Sequence, residues 1–342
     1  MQQRFFPLAI PMLFLLLASC QHEEGFYRPP VTELRPDTVI DAWGDSIFLG
    51  WGYHLHSDED YLYISDVKAN RMLALTHDLH LERWWGRAGK GPGEFLGAAD
   101  GLTLPQGGVA VLDLANKRIN HFAADGSFVK AVVLPDIMGR IPGGWSMDSL
   151  GNYYLSSDEP GGQIFKLDPQ GKVVATWSDK VVDGPLNQCY HLSTTERGDL
   201  LAAQVSMFML EKYRLDGSLA ETLDLRDHPQ FDRARRHVEA NPDLQDPKRA
   251  KLSLVFNIRD AKYLAGKLFI LVLDAEEDKI GTNQGTYVNQ ILEFDVYPEF
   301  RYRKHYVLDL PERYVSSFTV LPDGKTLIAS TRQNRLYRYR LE

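Results

Sequence analysis

The sequence predicts an all-β fold made of six similar units, and three observations lead to this prediction. Short alternating runs bounded by Gly, Asp or Asn recur along the chain, as in Tyr61–Ser65, Gly108–Asp113 and Lys267–Leu273. Such runs are typical of strands in all-β proteins. One sequence unit also recurs at a near-constant interval, and a single charged, helix-like segment interrupts it. These features predict a repeat protein with one insertion.

The repeated unit is an apolar residue followed three positions later by an aromatic residue or leucine, often with a turn such as Asp-Gly three positions further on. Its first members are 47, 45, 46, 81 and 45 residues apart, which indicates six repeats. A period near 45 matches the four-stranded blade of a β-propeller. The sequence therefore predicts a six-bladed β-propeller over residues 33–342. The unit occurs at Met72/Leu75, Ile119/Phe122, Ile164/Leu167, Leu210/Tyr213, Ile291/Phe294 and Leu336/Tyr339.

The long interval contains an insertion over residues 229–254. Its sequence is charged and helix-like on both sides of Asn241-Pro242-Asp243. This tripeptide is typical of a point where one helix ends and another begins. The sequence thus predicts two short helices between blades four and five.

The last repeat, Thr319–Glu342, has room for only about three strands. The segment Glu33–Ile40 is predicted to supply the fourth strand. The two ends of the chain would then close one blade together, and a closed ring protects strand edges.

The N-terminal segment has the layout of a secretory signal, with Arg4 followed by the apolar run Phe5–Ala18. That run is shorter than the roughly 20 residues that span a membrane as a helix. Leu17-Ala18-Ser19-Cys20 resembles the lipobox of bacterial lipoproteins. We therefore predict a signal peptide over 1–19, a lipid on Cys20 and a tether over 20–32.

The predicted lipid anchor places the protein at the outer membrane, either on the cell surface or on the periplasmic face. Gln21-His22-Glu23-Glu24 resembles an export signal that sends some Gram-negative lipoproteins to the cell surface, but a solvated tether explains the glutamates equally well. The periplasmic face is the alternative. The net charge of -8 argues against nucleic acid as a partner. Cys189 is the only other cysteine, so acylation of Cys20 leaves no intramolecular disulfide.

Three passages carry a resemblance to known proteins. Gly86–Phe95 is a Gly-rich segment, and Val109–Ile119 is echoed by Leu62–Met72 and more weakly by Asn334–Leu336. They resemble six-bladed propellers of the NHL-repeat and TolB-like kind, notably uncharacterised lipoproteins, in which such a Gly-rich loop connects two blades. The resemblance implies the propeller fold. It also implies, from some relatives, a metal on the ring axis held by histidine or acidic ligands from several blades.

Two motifs within these passages have a functional and a structural interpretation. Gly86–Gly93 invites a phosphate-loop interpretation, but Lys90 is followed by Gly rather than Ser or Thr, so a connection between blades is favoured. The side chains of Asp113 and Arg118, with their counterparts around Asp66, can bond the turn and the neighbouring blade. A ring of carboxylate-binding arginines is the functional alternative.

Alignment of the repeats places the innermost strand of each blade about 17 residues before the apolar marker. Mixed aromatic, imidazole and charged groups there suit a polar ligand at the mouth of the channel. A wet, polar channel without a specific site is the ordinary alternative. The candidate channel residues are Tyr53, His54, Asp100, Trp145, Tyr190, His191, Arg259 and Asp260, with Ser316 and Ser317 in blade six.

Three groups could hold a divalent metal. His54 and His56 alternate on one strand and so share a face, as two zinc ligands would. Cys189 and His191 do the same, for a metal or a Cys-His nucleophile. The acidic loop Asp274–Asp278 offers oxygen ligands to calcium. Ordinary core packing and a solvated loop are the alternatives, and no cofactor other than such a Ca or Zn ion is predicted.

No hydrolase triad is recognisable in the sequence. Gly144-Trp145-Ser146 does not match the nucleophile-elbow motif, because the glycine that the motif requires two residues after the serine is absent. The leading hypothesis is therefore a non-catalytic binding or scaffold protein for a glycan, a peptide or a partner protein. A metal-dependent lyase or hydrolase, with His54, His191 and Asp100 as candidate ligands, is the alternative. A structural subunit whose blade edges and insert dock another envelope protein is a third possibility.

Overall fold

The computed structural model describes residues 27–44, 47–50, 52–105, 107–136, 144–157, 163–177, 189–206, 208–240, 257–282 and 285–341. The strands form six blades of four strands, with antiparallel neighbours throughout each blade and one extra parallel strand on blade five. This confirms the predicted six-bladed, all-β propeller. Among the residues with a described structure, no helix is long and apolar enough to cross a membrane.

In blades one to five the four strands run from the central channel outward in chain order. The N-terminal strands are β1 (Val31–Leu34), β2 (Thr38–Ile40), β3 (Ala42–Trp43) and β4 (Ile47–Phe48). Blade one is β5 (Gly52–Ser57), β6 (Leu62–Asp66), β7 (Arg71–Leu75) and β8 (Leu81–Trp85). Blade two is β9 (Ala98–Thr103), β10 (Val109–Asp113), β11 (Arg118–Phe122) and β12 (Phe128–Val133). Blade three is β13 (Trp145–Met147), β14 (Tyr153–Ser157), β15 (Gln163–Leu167) and β16 (Val173–Trp177).

The second half of the ring follows the same order. Blade four is β17 (Tyr190–Thr194), β18 (Asp199–Gln204), β19 (Met209–Arg214) and β20 (Leu219–Asp224). Blade five is β21 (Ile258–Leu264), β22 (Lys267–Ala275), β23 (Thr286–Asp295) and β24 (Arg301–Leu308). Blade six is β25 (Val315–Val320), β26 (Thr326–Thr331) and β27 (Leu336–Arg340), completed by β2.

The repeated unit recognised in the sequence is the third strand of every blade. Its apolar first member is buried in each case, because it faces the neighbouring blade. Each junction between blades holds its own apolar cluster, so the core is divided into six parts around the ring. Because each blade has this buried position once, counting the repeats in the sequence gives the number of blades.

The N-terminal segment closes the ring, but it divides between two blades. Strand β2 pairs antiparallel with β27 as the predicted fourth strand of blade six. Strand β1 instead runs parallel to β24 on the outer edge of blade five. Asp37, between the two strands, pairs with Arg338 at 2.6 Å and Arg340 at 3.2 Å. Residues 1–26, including the predicted signal and Cys20, lie outside the described residues, and the last two tether residues, 31 and 32, belong to β1.

The insertion begins with a 3-10 turn, Pro229–Phe231, and continues as helix α1 (Asp232–Glu239). The Phe231 ring lies 4.7 Å from that of Phe208 and joins the apolar cluster between blades four and five. This confirms the first of the two predicted helices. The second falls in 241–256, outside the described residues.

The Gly-rich segment connects the outer strand of blade one to the inner strand of blade two, as predicted. Gly86 has a φ of +94°, and a Cβ there would lie 2.4 Å from the ring of Phe95. Arg118 donates to the main-chain carbonyls of Lys90, Gly91 and Glu94 at 2.8 to 2.9 Å. Glycine and arginine therefore serve here to fix a loop between blades.

Candidate functional site

A cavity of about 230 Å³ lies in the centre of the ring, close to the carboxyl ends of the inner strands of blades one to five. We call it the channel pocket. Because side chains alternate along a strand, most of the polar groups that an inner strand contributes come from one face. The polar side chains that line it are His54, His56, Asp100, Thr103, Ser146, His191, Ser193, Thr194, Asp260, Lys262 and Tyr263.

Asp100 joins blades one and two within the channel pocket. Its Oδ1 lies 2.7 Å from Nε2 of His56 and 3.5 Å from Nδ1 of His54. The same oxygen accepts the Gly101 amide at 2.8 Å. Both imidazoles therefore lie on one side of β5, as the alternation His54-Leu55-His56 predicts.

The neighbours of His56 determine which of its ring nitrogens carries the hydrogen. Lys262 Nζ lies 3.5 Å from Nε2 of His56, but an ammonium group has no acceptor lone pair. The short contact to the Asp100 carboxylate therefore requires Nε2 to carry the hydrogen. Nδ1 has no partner among the described residues, so its lone pair is left available.

Asp260 is the second carboxylate of the pocket, and it lies across the ring in blade five. It accepts the Ser317 hydroxyl at 2.5 Å and the Phe318 amide at 3.2 Å, which ties blade five to blade six. Lys262 Nζ lies 3.4 Å from Asp260 Oδ1. The one lysine of the pocket is therefore largely neutralised by its own strand.

Burial decides the charge of the imidazoles. It lowers the pKa of His191 to about 4, against the opposing effect of Asp260. Burial and the nearby Lys262 charge lower the pKa of His56, again against a carboxylate, Asp100. Burial alone would raise the pKa of Asp100, but the neighbouring imidazoles and Lys262 outweigh it and hold that pKa well below its usual range. At neutral pH His56 and His191 are neutral and Asp100 is ionised.

The pocket brings together five of the eight candidate residues, namely His54, Asp100, Trp145, His191 and Asp260. Tyr190 and Arg259 take other positions because each precedes a channel-facing residue on its strand. Tyr190 is buried in the cluster between blades three and four, and the Arg259 guanidinium lies 5.7 Å from the Tyr314 ring. Tyr53 belongs to β5, but its side chain lies outside the described residues.

Sequence reasoning missed several polar residues of this pocket, among them Lys262, Ser193 and Thr194. The first two lie two residues after Asp260 and His191, so period-two alternation alone could have placed them on the same face. His56 was recognised as sharing a face with His54 but was not carried into the set of candidates. Thr194 carried no such signal, since its position depends on the end of β17.

The acidic loop proposed for calcium is occupied by the protein's own cations and donors. Asp274 accepts Arg233 at 2.5 Å and Gln290 at 2.6 Å. Glu277 pairs with Arg236 of helix α1 at 2.8 Å, and Glu276 pairs with Arg313 at 3.0 Å. Among the described residues there is no group of three or more His, Cys, Asp or Glu that could hold a metal ion.

The second predicted pair, Cys189 and His191, lies at the start of β17. The Cys189 side chain is fully buried, and Nε2 of His191 lies 3.3 Å from the carbonyl oxygen of Ile258. A metal at His54, His191 and Asp100 stays a prediction.

The fold and this pocket define a six-bladed propeller with a polar site on its axis, and solved structures with the same fold are similar to it. A protein of Bacteroides fragilis that is described as exported has a TM-score of 0.57 and 12% identity, over 88% of each chain. Virginiamycin B lyase from Staphylococcus aureus has a TM-score of 0.54 and 10% identity, over 89% of this chain and 99% of that one.

A structure of streptogramin B lyase has a TM-score of 0.52 and 14% identity, over 89% of this chain and 87% of that one. Identities this low show the fold alone, since one fold supports many functions. No model of a known protein family matches the sequence, and no curated protein matches it.

Proposed function

We propose that this protein is a binding module of the cell envelope whose channel pocket takes the terminal unit of a glycan. The observation that carries the proposal is the pocket itself, where imidazole, carboxylate, ammonium and hydroxyl groups from five blades meet in one small cavity. Its volume of about 230 Å³ is below the roughly 300 to 1,000 Å³ of pockets for drug-sized ligands. A single sugar or a single terminal residue is therefore the appropriate size.

The charge of the pocket favours a hydroxyl-rich ligand over an anion. Lys262 is paired with Asp260, and the His56 and His191 rings are neutral at pH 7. What remains is a mixture of donors and acceptors with few uncompensated charges. Hydroxyl groups, which both donate and accept, match such a lining.

The proposal is tested by screening the purified full chain on an array of glycans and then measuring the best sugar by calorimetry. His54→Ala is the informative variant, because the side chain is 32% exposed and its loss leaves the core intact. We expect the affinity to fall by about tenfold, the value of one or two hydrogen bonds. His80→Ala, an exposed histidine of blade one outside the pocket, is the matched control.

Two results would overturn the glycan proposal. One is the absence of saturable sugar binding by a chain that melts cooperatively. The other is equal affinity in the His54→Ala and unmodified chains. Capture of a peptide or of a partner protein instead, with no sugar bound, would favour the other ligands that the sequence allows.

We further propose that the propeller is a lipoprotein of the outer membrane, anchored through Cys20. The lipobox-like sequence supports this, as does the similarity in fold to a protein described as exported. Metabolic labelling with a radioactive fatty acid should label the full chain and fail to label Cys20→Ala. Equal labelling of both chains would refute the anchor and leave the glycan proposal untouched.

A hydrolase or lyase is the second candidate, and the pairing of His56 with Asp100 favours it. A carboxylate that holds one ring nitrogen fixes the tautomer and orients the other nitrogen as a general base, the arrangement used in catalytic triads. Such a base contributes about 10² to 10⁴ in rate. In this chain the free nitrogen would be Nδ1 of His56.

This candidate is tested with a panel of p-nitrophenyl glycosides and esters. Hydrolysis that falls at least a hundredfold in His56→Gln, with sugar binding retained, would support an enzyme. If no substrate in the panel turns over, or if His56→Gln turns over at the unmodified rate, the base role is wrong. Stoichiometric zinc or calcium that is lost in His54→Ala and His191→Ala would support the metal-dependent form.

A further inference from the structure

A second cavity lies between blades two and three, away from the ring axis. Its volume is about 490 Å³, which is within the range of pockets for small organic ligands. It is built from the turns that follow β9, β11 and β13, together with the start of β12 and of β14. Met147 lies between this cavity and the channel pocket and lines both. We call it the junction cavity.

Much of the wall of the junction cavity is apolar. Leu104, Phe122, Val129, Leu150 and Pro169 line it. Two of these side chains are strongly exposed, Leu150 at 77% and Val129 at 59%. Apolar side chains that stand at the rim of a cavity gain about 25 cal/mol for each Å² that a ligand covers.

A buried polar pair, His121 and Tyr153, also lines the cavity. Nε2 of His121 lies 2.7 Å from the Tyr153 hydroxyl, and the two rings meet edge to face. His121 is 6% exposed, yet its Nδ1 has no hydrogen-bonding partner among the described residues. This nitrogen is therefore open to water or to a ligand.

The rim carries the positive charge of Lys130, which is not paired with a carboxylate of the described residues. Lys130 lines the cavity, is exposed, and makes no hydrogen bond or ion pair with any other described residue. The carboxylate of Asp148, at the opposite side, is already committed. It accepts two main-chain amides, the Asn152 side chain and the Tyr154 hydroxyl at 2.8 to 3.0 Å.

We propose that the junction cavity binds an amphipathic carboxylate, with its apolar body between blades two and three and its carboxylate at Lys130 and His121. Apolar walls, one buried imidazole and one unpaired ammonium are the complement of such a molecule. The site is independent of the channel pocket and of the glycan proposed for it.

Sodium octanoate and its uncharged analogue 1-octanol are suitable probes for calorimetry on the full chain. Octanoate should bind saturably. Lys130→Met should weaken octanoate by about fivefold and leave octanol unchanged, because an exposed ion pair contributes up to about 1 kcal/mol. Val129→Glu, which places a carboxylate at the rim, should weaken octanoate by at least about tenfold.

The matched control is Val174→Glu. Val174 is a similarly exposed valine on the outer strand of blade three that does not line the cavity, so this variant should leave octanoate binding unchanged. His54→Ala should also leave it unchanged, which separates this site from the channel pocket. The proposal is overturned if octanoate does not bind saturably, or if Val129→Glu and Val174→Glu behave alike. An unchanged octanoate affinity in Lys130→Met would overturn the carboxylate as the recognised group.

Discussion

The junction between blades one and two and the junction between blades four and five both bury an apolar cluster, but they fix their connections differently. At the first, Asp113 is fully buried and accepts Asn116 at 2.7 Å and the Leu96 amide at 3.0 Å, with Arg118 at 3.4 Å. All of its partners lie within about 20 residues of it in sequence. The connection is therefore encoded locally.

At the second junction, Asp274 has the corresponding role, but one of its partners, Arg233, comes from a segment 41 residues away. Arg233 reaches it from helix α1 at 2.5 Å, while Gln290 and Tyr287 reach it from β23 at 2.6 and 2.9 Å. His305 of β24 then bonds Gln290 at 2.8 Å. Tyr287 and Gln290 lie 13 and 16 residues from Asp274, so Arg233 is the one distant partner among the described residues. The comparison teaches that a buried carboxylate leaves a compact sequence motif when all of its partners are local, and leaves none when an insertion supplies one of them.

The largest effect is expected from Asp113→Ala, which breaks the local network. It removes the acceptor of the Leu96 amide and of the Asn116 side chain, and the carboxylate beside Arg118, which keeps three main-chain carbonyls. Buried donors that lose their acceptor cost about 1 to 3 kcal/mol each, so we expect a loss of about 3 kcal/mol. The free energy of unfolding from urea titration measures this. Asp136→Ala, which removes an exposed ion pair with Lys117, is the control and should change little.

An effect of about 2 kcal/mol is expected at the second junction when the pH falls from 6.5 to 5. Burial lowers the pKa of His305 to about 4. Between pH 6.5 and 4 the unfolded chain therefore takes up a proton that the folded chain does not, so stability falls with pH by about 1.4 kcal/mol per unit. His305→Gln should reduce the measured pH dependence by that one proton, and an unchanged slope would contradict the prediction.

The smallest effect, about 1 kcal/mol, is expected from Arg233→Met. Its guanidinium is 43% exposed, and Asp274 keeps Tyr287, Gln290 and the Ala275 amide as donors, so no buried charge is left bare. Unfolding in urea again measures the change. A loss as large as that of Asp113→Ala would show that the distributed network is as dependent on one partner as the local one, and the contrast would fail.

Much of the fold was predictable because a blade buries its faces only against its neighbours. The marker residues from Met72 to Leu336 must then be apolar in every blade, and their spacing reports the count. The insertion was visible because it lengthens one interval. The placement of β1 on blade five was not visible, since a four-residue strand that pairs in parallel with an outer edge leaves no periodic signal.

The site was predictable in part, for the same reason. Position within the repeat placed His54, Asp100, His191 and Asp260 on inner strands, and period-two alternation put His54 and His56 on one face. It could not separate Trp145, which stacks on Tyr153 in a blade junction and still reaches the pocket, from Tyr190, which only packs. That difference depends on how far each short inner strand extends along the channel.

The sequence by itself determined the number of blades, the place of the insertion and four of the polar residues that face the axis, His54, Asp100, His191 and Asp260, because these follow from local spacing. Only the tertiary structure decided which of these residues meet. Ring closure brings Asp100 to His56 across one junction and Asp260 to Ser317 across another, and it opens the junction cavity beside Lys130. Contacts between blades depend on the distance and the twist between neighbouring sheets. The spacing of residues along one strand encodes neither of them.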